Sequence, residues 1–182
     1  MDIMEVILVD ENDKTIGVLE KMEAHEKGLL HRAFSIFIFN EKGEMLLQQR
    51  ALDKYHSGGL WTNACCSHPS PGEHTHSAAL RRLQEELGFQ TTIQKAFDFL
   101  YKADFDNGLT EHEFDHVFIG RYDGDIDFCN KEVMAVTYKS MEDINKSLQA
   151  NPEQYTAWFK IAFPMLEEWL HKQPEAYNFA HK

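Results

Sequence analysis

The sequence predicts a single α/β domain of the α+β kind. Three observations support this class: strand-like segments in pairs from the N-terminus onward, a short helical segment after Gly72, and a final aromatic-rich helical region that opens at Asn151-Pro152. The chain has 182 residues, of which 43% are hydrophobic, so it can bury a sizeable core of its own. We therefore expect one domain over residues 1–182.

Composition limits the partners of this domain. The chain carries 18 basic and 30 acidic residues, a net charge of −12, which argues against nucleic acid and anionic membrane as partners. No apolar run approaches the ~20 residues that span a bilayer, and the N-terminus lacks the pattern of a secretory signal. Cys65, Cys66 and Cys129 make no even disulfide framework. We expect a cytoplasmic protein, and an anionic small substrate would need a local basic pocket.

The first half of the chain reads as two hairpins. Glu5 to Val9 and Thr15 to Leu19 are short strands joined by a polar turn. Arg32 to Asn40 has an aromatic and aliphatic face, and Met45 to Gln49 returns from it after a turn that contains glycine. These four segments predict the first part of a sheet.

A helix should follow Gly72 and stop at Gly88. Its core-facing residues recur at helical spacing: Ala79, Leu80, Leu83 and Leu87. Arg82 and Glu86 lie four residues apart on the other face, with Glu85 beside them. Carboxylates in this arrangement suit a hard divalent cation.

The next two strands predict a pair of carboxylates on one face. Thr91 to Ala103 and Leu109 to Arg121 flank the turn signal Asn107-Gly108. Glu111 and Glu113 are two apart on the second strand, so both side chains point the same way. Such a pair fits a metal or acid–base site, and it fits a plain solvent face equally well.

The remainder of the chain reads as scaffold. Glu132 to Lys139 is a strand, and Ser140 caps a helix from Met141 to Ala150. The final helical region runs through His171, and Pro164 should kink or interrupt it.

Two further groups of residues have more than one interpretation. His25 and His31 bracket a glycine just before a strand, where they are either surface histidines or metal ligands. Arg50 and Lys54 flank a glycine-containing segment that is either a solvated loop or a phosphate contact.

Two motifs in the middle of the chain resemble known families. One run is similar to the Nudix box, a magnesium-binding loop and helix: Glu73, Arg81, Glu85, Glu86 and Gly88. It departs from the box at Ser67, where the box has glycine, and at Arg82, where it has glutamate. The preceding TNACCSHP, with Cys66 and His68, resembles the signature of type I isopentenyl-diphosphate isomerases. That resemblance implies a Nudix-type α/β/α sandwich with a mixed central sheet, an N-terminal strand extension and a C-terminal helix over the pocket.

The resemblance also implies a reaction and a set of site residues. Such enzymes interconvert isopentenyl and dimethylallyl diphosphates in isoprenoid biosynthesis, by protonation and deprotonation through a tertiary carbocation. The catalytic residues it implies are Cys66, Glu113, Tyr101 and Trp158. The residues it implies for diphosphate binding are Lys21, Arg50, Lys54 and Arg82. The metal ligands it implies are His25, His31, His68, Glu111 and Glu113 for one ion, and Glu86 for another.

The metals follow from these ligands. A mixed histidine and carboxylate set suits Mn²⁺ or Zn²⁺, and Mg²⁺ is expected between Glu86 and the diphosphate. The resemblance also implies a monomer. Two other functions stay open: a Nudix hydrolase of a nucleoside diphosphate derivative, with Glu73, Glu85 and Glu86 as ligands, and a non-catalytic module that binds a phosphorylated metabolite.

Overall fold

The fold was analysed in a computed structural model, which describes residues 4–173 and residue 175. Within these residues the chain forms nine strands and four α-helices. The strands are β1 (Glu5–Val9), β2 (Thr15–Glu20), β3 (His31–Phe39), β4 (Met45–Arg50), β5 (Trp61–Thr62), β6 (Cys65–Ser67), β7 (Ile93–Asp104), β8 (Thr110–Arg121) and β9 (Val133–Lys139). The helices are α1 (Lys21–Lys27), α2 (Thr75–Leu87), α3 (Met141–Ala150) and α4 (Ala157–Lys172).

The strands form one mixed sheet around β3. β3 pairs in parallel with β8 and antiparallel with β1, β4 and β6. β7 adds to β8, β9 to β4, and β2 to β1, all antiparallel. Strand β3 reads as a nearly continuous apolar run because it is buried on both faces of the sheet.

Helices cover both faces of this sheet. On one face α2 packs Leu83 and Leu87 against Ile36 and Ile38 of β3. On the other face α3 and α4 pack against Phe37 and the neighbouring strands. This confirms the predicted α+β class, the layered arrangement, the N-terminal strands β1 and β2, and a C-terminal helix that reaches the pocket. The prediction of one domain over residues 1–182 extends beyond the described residues and stays a prediction.

Helix α2, which carries Glu85 and Glu86, ends at Gly88 as predicted. Gly88 has φ 74°, and a Cβ there would lie 2.3 Å from the carbonyl oxygen of Asp127, so a side chain at this position would clash with backbone. The helix begins at Thr75, two residues after the predicted start at Glu73.

Two other helices differ from the prediction. Helix α1 was not predicted; Glu20 starts it by accepting the backbone N–H groups of Met22 and Glu23. Helix α4 was expected to kink or be interrupted at Pro164; it is not interrupted and runs through that residue to Lys172, while the kink stays a prediction. The interruption was therefore a wrong prediction, because packing of the apolar face of α4 outweighs one missing backbone hydrogen bond. No helix in the described part of the chain is long and apolar enough to cross a membrane.

Candidate active site

One pocket, with an empty volume of ≈ 530 Å³ including space open to solvent, collects the predicted site residues. All of them line it except His25 and His31, which lie behind its wall. The pocket is also lined by residues that sequence reasoning did not assign to the site: Gln48, Tyr55, His56, Ser67 and Glu132. The site therefore draws on α1, β4, β6, α2, β7, β8 and α4.

The thiol of Cys66 is held by three polar neighbours. Its Sγ lies 3.1 Å from Asn63 Oδ1 and 3.3 Å from Ser35 Oγ, and the indole Nε1 of Trp158 donates to it at 3.1 Å. Ser35 in turn donates to buried Asp115 at 2.7 Å. Desolvation, followed by the nearby Asp115, raises the pKa of the Cys66 thiol, so the thiol keeps its proton at neutral pH.

The neighbouring Cys65 faces the other way. Successive side chains of a strand point to opposite faces, and Cys65 is fully buried in the core that packs against α2. The pocket is lined by Cys66 and not by Cys65.

Across β3 from this thiol, a tyrosine joins two carboxyl groups. The Tyr101 hydroxyl lies 2.6 Å from Glu113 Oε2 and 3.0 Å from Glu111 Oε2, and Tyr101 is directly opposite Glu113 in the β7–β8 ladder. Burial, followed by the charge of Glu113, raises the pKa of Glu111 to about 8. Burial also acts to raise the pKa of Glu113, but hydrogen bonds from His31 and His68 outweigh it and hold that pKa well below its usual value. The pair therefore shares one proton near neutral pH.

The backbone orients two histidines behind the pocket. His25 Nδ1 lies 2.7 Å from the carbonyl oxygen of Lys21, and His31 Nδ1 lies 2.8 Å from that of Leu29. A carbonyl oxygen only accepts, so each Nδ1 carries a hydrogen. In the neutral imidazole Nε2 then presents a lone pair, whereas protonated His31 donates from Nε2 to Glu113.

These lone pairs meet two further ligand atoms. His25, His31, His68 and Glu113 each offer one atom, and the four atoms lie within 4.8 Å of one another. His31 Nε2 and His68 Nε2 are 3.3 Å apart, and His25 Nε2 is buried without a hydrogen-bond partner. Three buried ring nitrogens and a carboxylate that converge in this way, one of the nitrogens without a partner, fit a transition metal, which takes ligands at about 2.0–2.2 Å.

Glu111 is the fifth ligand that the resemblance implied, and its place in that set stays a prediction. Its carboxylate lies within 4.8 Å of ligand atoms of His25, which belongs to the same set, and of His56. His56 is buried, and its Nε2 lies 2.9 Å from Glu111 Oε1. Burial, followed by the charge of Arg50, lowers the pKa of His56 to about 3, so its imidazole is neutral. The sequence analysis did not assign His56 to the site. The signal that could have identified it is its position in the segment that also holds Arg50, Lys54 and two glycines.

The basic end of the pocket is already paired with carboxylates. Arg82 donates to Glu86 at 2.7 Å, and Gln48 donates to the other oxygen of Glu86 at 3.0 Å. Lys54 forms an ion pair with Glu132, which also lies 3.5 Å from Arg82. An anionic ligand would therefore have to compete with Glu86 and Glu132 for Arg82 and Lys54.

Lys21 and Arg50 connect this end to the aromatic side of the pocket. The Arg50 guanidinium lies 5.1 Å from the centre of the Trp158 ring, and the Lys21 ammonium lies 4.3 Å from that of Tyr55. Burial, followed by the positive charge of Lys54, lowers the pKa of Lys21 to about 8.

The carboxylates of the box-like run separate in space. Arg81 binds both oxygens of Glu73, at 2.8 and 2.9 Å, and also contacts Glu85. Among these carboxylates only Glu86 lines the pocket. A hydrolytic metal cluster on Glu73, Glu85 and Glu86 would need the first two to leave their arginine.

Comparison with known proteins identifies the family of this chain. A family model described as "NUDIX domain" matches residues 29–159. The "Isopentenyl-diphosphate Delta-isomerase" of Pectobacterium atrosepticum is 50% identical over 169 residues, 93% of this chain and 94% of that relative. The protein of the same name from Burkholderia multivorans is 46% identical over 172 residues, 92% of this chain and 98% of that relative. The crystal structure of DR0079 from Deinococcus radiodurans superimposes with a TM-score of 0.68 over 81% of this chain and 90% of its own, at 17% identity, and bears on the fold alone. The chain belongs to the NUDIX family and, within it, to the isopentenyl-diphosphate Delta-isomerases.

Proposed function

We propose that this chain interconverts isopentenyl and dimethylallyl diphosphates in isoprenoid biosynthesis, by proton transfer through a tertiary carbocation. The observation that carries the mechanism is the placement of the Cys66 thiol, the Tyr101-linked carboxyl pair and the Trp158 indole on one pocket. The family to which the chain belongs supports the reaction. The roles of individual residues are our proposal.

The reaction adds a proton to one carbon and removes a proton from another, so two groups trade protons across the substrate. The thiol of Cys66 holds a proton, and Glu111 and Glu113 share a second one through Tyr101. From this state the thiol can act as acid while the ionised carboxylate acts as base, and the thiolate and doubly protonated carboxyl pair left after the transfer can act in the opposite sense. This supports a reversible reaction and leaves open which wall begins the forward direction.

The developing cation needs a stabilising surface that does not react with it. Trp158 is 3% exposed and offers its indole face, whose quadrupole attracts positive charge. Arg50 lies at 5.1 Å from this ring and also lines the basic end of the pocket. We propose that Lys21, Arg50, Lys54 and Arg82 bind the diphosphate.

Two metal ions fit the residues present. His25, His31, His68 and Glu113, whose ligand atoms converge, would together with Glu111 hold Mn²⁺ or Zn²⁺, and Glu86 would share Mg²⁺ with the diphosphate. When bound, the first ion withdraws electron density from the carboxyl group it contacts and makes a proton on that group more acidic. The net charge of −12 and the family resemblance lead us to propose a cytoplasmic monomer with a small-molecule substrate and neither nucleic acid nor membrane as partner.

One assay tests this function against both alternatives. The protein is incubated with isopentenyl diphosphate, Mg²⁺ and Mn²⁺ in deuterated water, and the products are followed by NMR. Deuterium in dimethylallyl diphosphate supports the isomerase. Released phosphate would identify a hydrolase instead, and bound but unchanged substrate would identify a binding module.

A further inference from the structure

Three buried polar residues behind the pocket have no part in the proposed mechanism. Thr62, Asn63 and Thr156 are 1% exposed or less, and none of them lines the pocket. Burying a polar side chain is unfavourable unless it is hydrogen-bonded, so the partners of these three side chains are informative. Their hydrogen bonds lead to the thiol of Cys66.

The amide of Asn63 has a fixed orientation. Its Nδ2 donates to the carbonyl oxygens of Ile36 at 3.0 Å and Cys65 at 3.1 Å, which uses both of its hydrogens. Turning the amide over would place Oδ1 against two oxygens that can only accept. The Oδ1 atom therefore faces Cys66, and it accepts the S–H group of that residue at 3.1 Å.

The same oxygen accepts a second hydrogen bond, from the hydroxyl of Thr62 at 2.9 Å. The Thr62 hydroxyl accepts in turn from the hydroxyl of Thr156 at 3.1 Å. A hydroxyl has one hydrogen to donate, so the direction of this hydroxyl chain, from Thr156 through Thr62 to Asn63, is fixed. The chain ends on the oxygen to which the Cys66 thiol also donates.

The hydroxyl chain begins at the start of the helix that carries Trp158. Thr156 is the N-cap of α4, where its Oγ1 accepts the N–H of Phe159, and its own N–H donates to the Trp61 carbonyl at 3.0 Å. Trp158, two residues further on, donates its indole N–H to Cys66 Sγ at 3.1 Å. The thiol is therefore held on two sides by groups that depend on the start of α4.

We propose that Thr62 is a positioning residue for the reaction, because its hydroxyl holds Asn63 against the Cys66 thiol. Through Thr156 the same hydroxyl keeps this thiol aligned with the indole of Trp158. Proton transfer at carbon needs the sulfur at a defined place and angle, and a displacement of about 1 Å can lower a rate about 100-fold. Thr62 does not line the pocket, so it acts through these neighbours. The inference rests on the proposed role of Cys66.

Two substitutions of Thr62 separate the effect of its hydroxyl from that of its volume. Thr62→Val has nearly the same shape without a hydroxyl, whereas Thr62→Ser keeps the hydroxyl and loses a methyl group. Thr62→Val should lower kcat about two- to twelvefold, the range that corresponds to one net hydrogen bond, with KM and the affinity for inorganic diphosphate unchanged. Thr62→Ser should have a kcat close to that of the wild type.

A second measurement follows the thiol without turnover. The infrared S–H stretching band of Cys66 is obtained as the difference between each protein and the same protein with Cys66→Ala. This band should shift in Thr62→Val and keep its wild-type position in Thr62→Ser. Tyr155→Phe is the matched control, because the Tyr155 hydroxyl bonds Ser147 at 2.7 Å, at the same start of α4 but outside the hydroxyl chain. Its kcat and its S–H band should both equal those of the wild type.

Thermal melting of all variants shows whether they fold, and Thr62→Ala takes the place of Thr62→Val if the latter does not. A wild-type kcat and an unmoved S–H band in the variant without the hydroxyl would overturn the proposal. An equal loss of kcat in Thr62→Val and Thr62→Ser would also overturn it, because the hydroxyl would then make no difference. An active Cys66→Ala would instead overturn the proposed role of Cys66, and the S–H band would still test the hydroxyl chain.

Discussion

Replacing Trp158 by phenylalanine separates the chemical role of the indole from its packing. The phenyl ring keeps an aromatic face, but the variant loses the N–H group that donates to Cys66 Sγ at 3.1 Å. A net hydrogen bond contributes about 0.5–1.5 kcal/mol. A phenyl face also gives up part of a cation–π attraction of about 0.5–2 kcal/mol. A combined loss of about 1–3 kcal/mol predicts a fall in kcat/KM of between about fivefold and about 150-fold.

The same helix supplies a matched control. Trp169 of α4 is half-buried against Phe97, with ring centroids 6.4 Å apart, and does not line the pocket. Trp169→Phe should lower the melting temperature slightly and leave kcat unchanged. Steady-state kinetics and thermal melting of both variants decide between the roles. A substrate analogue with an ammonium at the cationic carbon should bind more weakly to Trp158→Phe, whereas inorganic diphosphate should bind nearly as before.

Two results would refute this reasoning. Equal kinetic effects in Trp158→Phe and Trp169→Phe would show that aromatic packing on α4 matters rather than contact with the reacting carbons. A lower melting temperature in Trp158→Phe with undiminished kcat/KM would assign Trp158 to the core alone.

Three other predictions use different parts of the pocket. Cys66→Ala should abolish turnover in the isomerase assay and keep its fold. Cys65→Ala should stay active but lose roughly 1 kcal/mol of stability in urea unfolding, because removing a buried sulfur leaves a small cavity. An inactive Cys65→Ala together with an active Cys66→Ala would reverse the assignment of the two thiols. Because its pKa is lowered, Lys21 loses its charge as pH rises through about 8. Calorimetry without metal ions should therefore show weaker diphosphate binding above that pH, and Lys21→Arg should reduce this change. An equal fall in affinity in both proteins would exclude Lys21 as the source of the change. Glu132→Gln should tighten diphosphate binding about two- to fivefold, because the ion pair between Lys54 and Glu132, worth about 0.5–1 kcal/mol, no longer has to break. Weaker binding would instead show that Glu132 positions the basic side chains.

The parts of the fold that follow local rules could be predicted from the sequence. Ser140 caps α3 by accepting the N–H of Asp143, and Gly88 ends α2 in the left-handed region, both as expected. Helix α1 was not predicted because its N-cap residue, Glu20, directly follows a segment with the sequence pattern of a strand. The continuity of α4 through Pro164 depends on tertiary packing, which no local rule contains.

The sequence named residues that the fold brings to one pocket, but it did not give their arrangement. The spacing of Glu111 and Glu113 correctly placed both on one face of β8. It could not show that His56 Nε2 lies 2.9 Å from Glu111 Oε1, because that depends on how the loop before β5 folds over the pocket. The ion pair between Lys54 and Glu132 joins residues 78 positions apart in sequence, beyond the reach of any local pattern.

The position of Trp158 also sets an order of assembly during synthesis. The four converging metal ligands lie between His25 and Glu113, on segments that leave the ribosome before α4 does. A nascent chain can therefore gather these ligands while the thiol of Cys66 still lacks its indole neighbour. The proposed metal ligands thus precede α4 in the chain, and the proposed cation-stabilising wall lies on the last described helix. A chain cut off before residue 157 would lose both this wall of the pocket and the apolar residues that α4 adds to the core, among them Phe159 and Phe163.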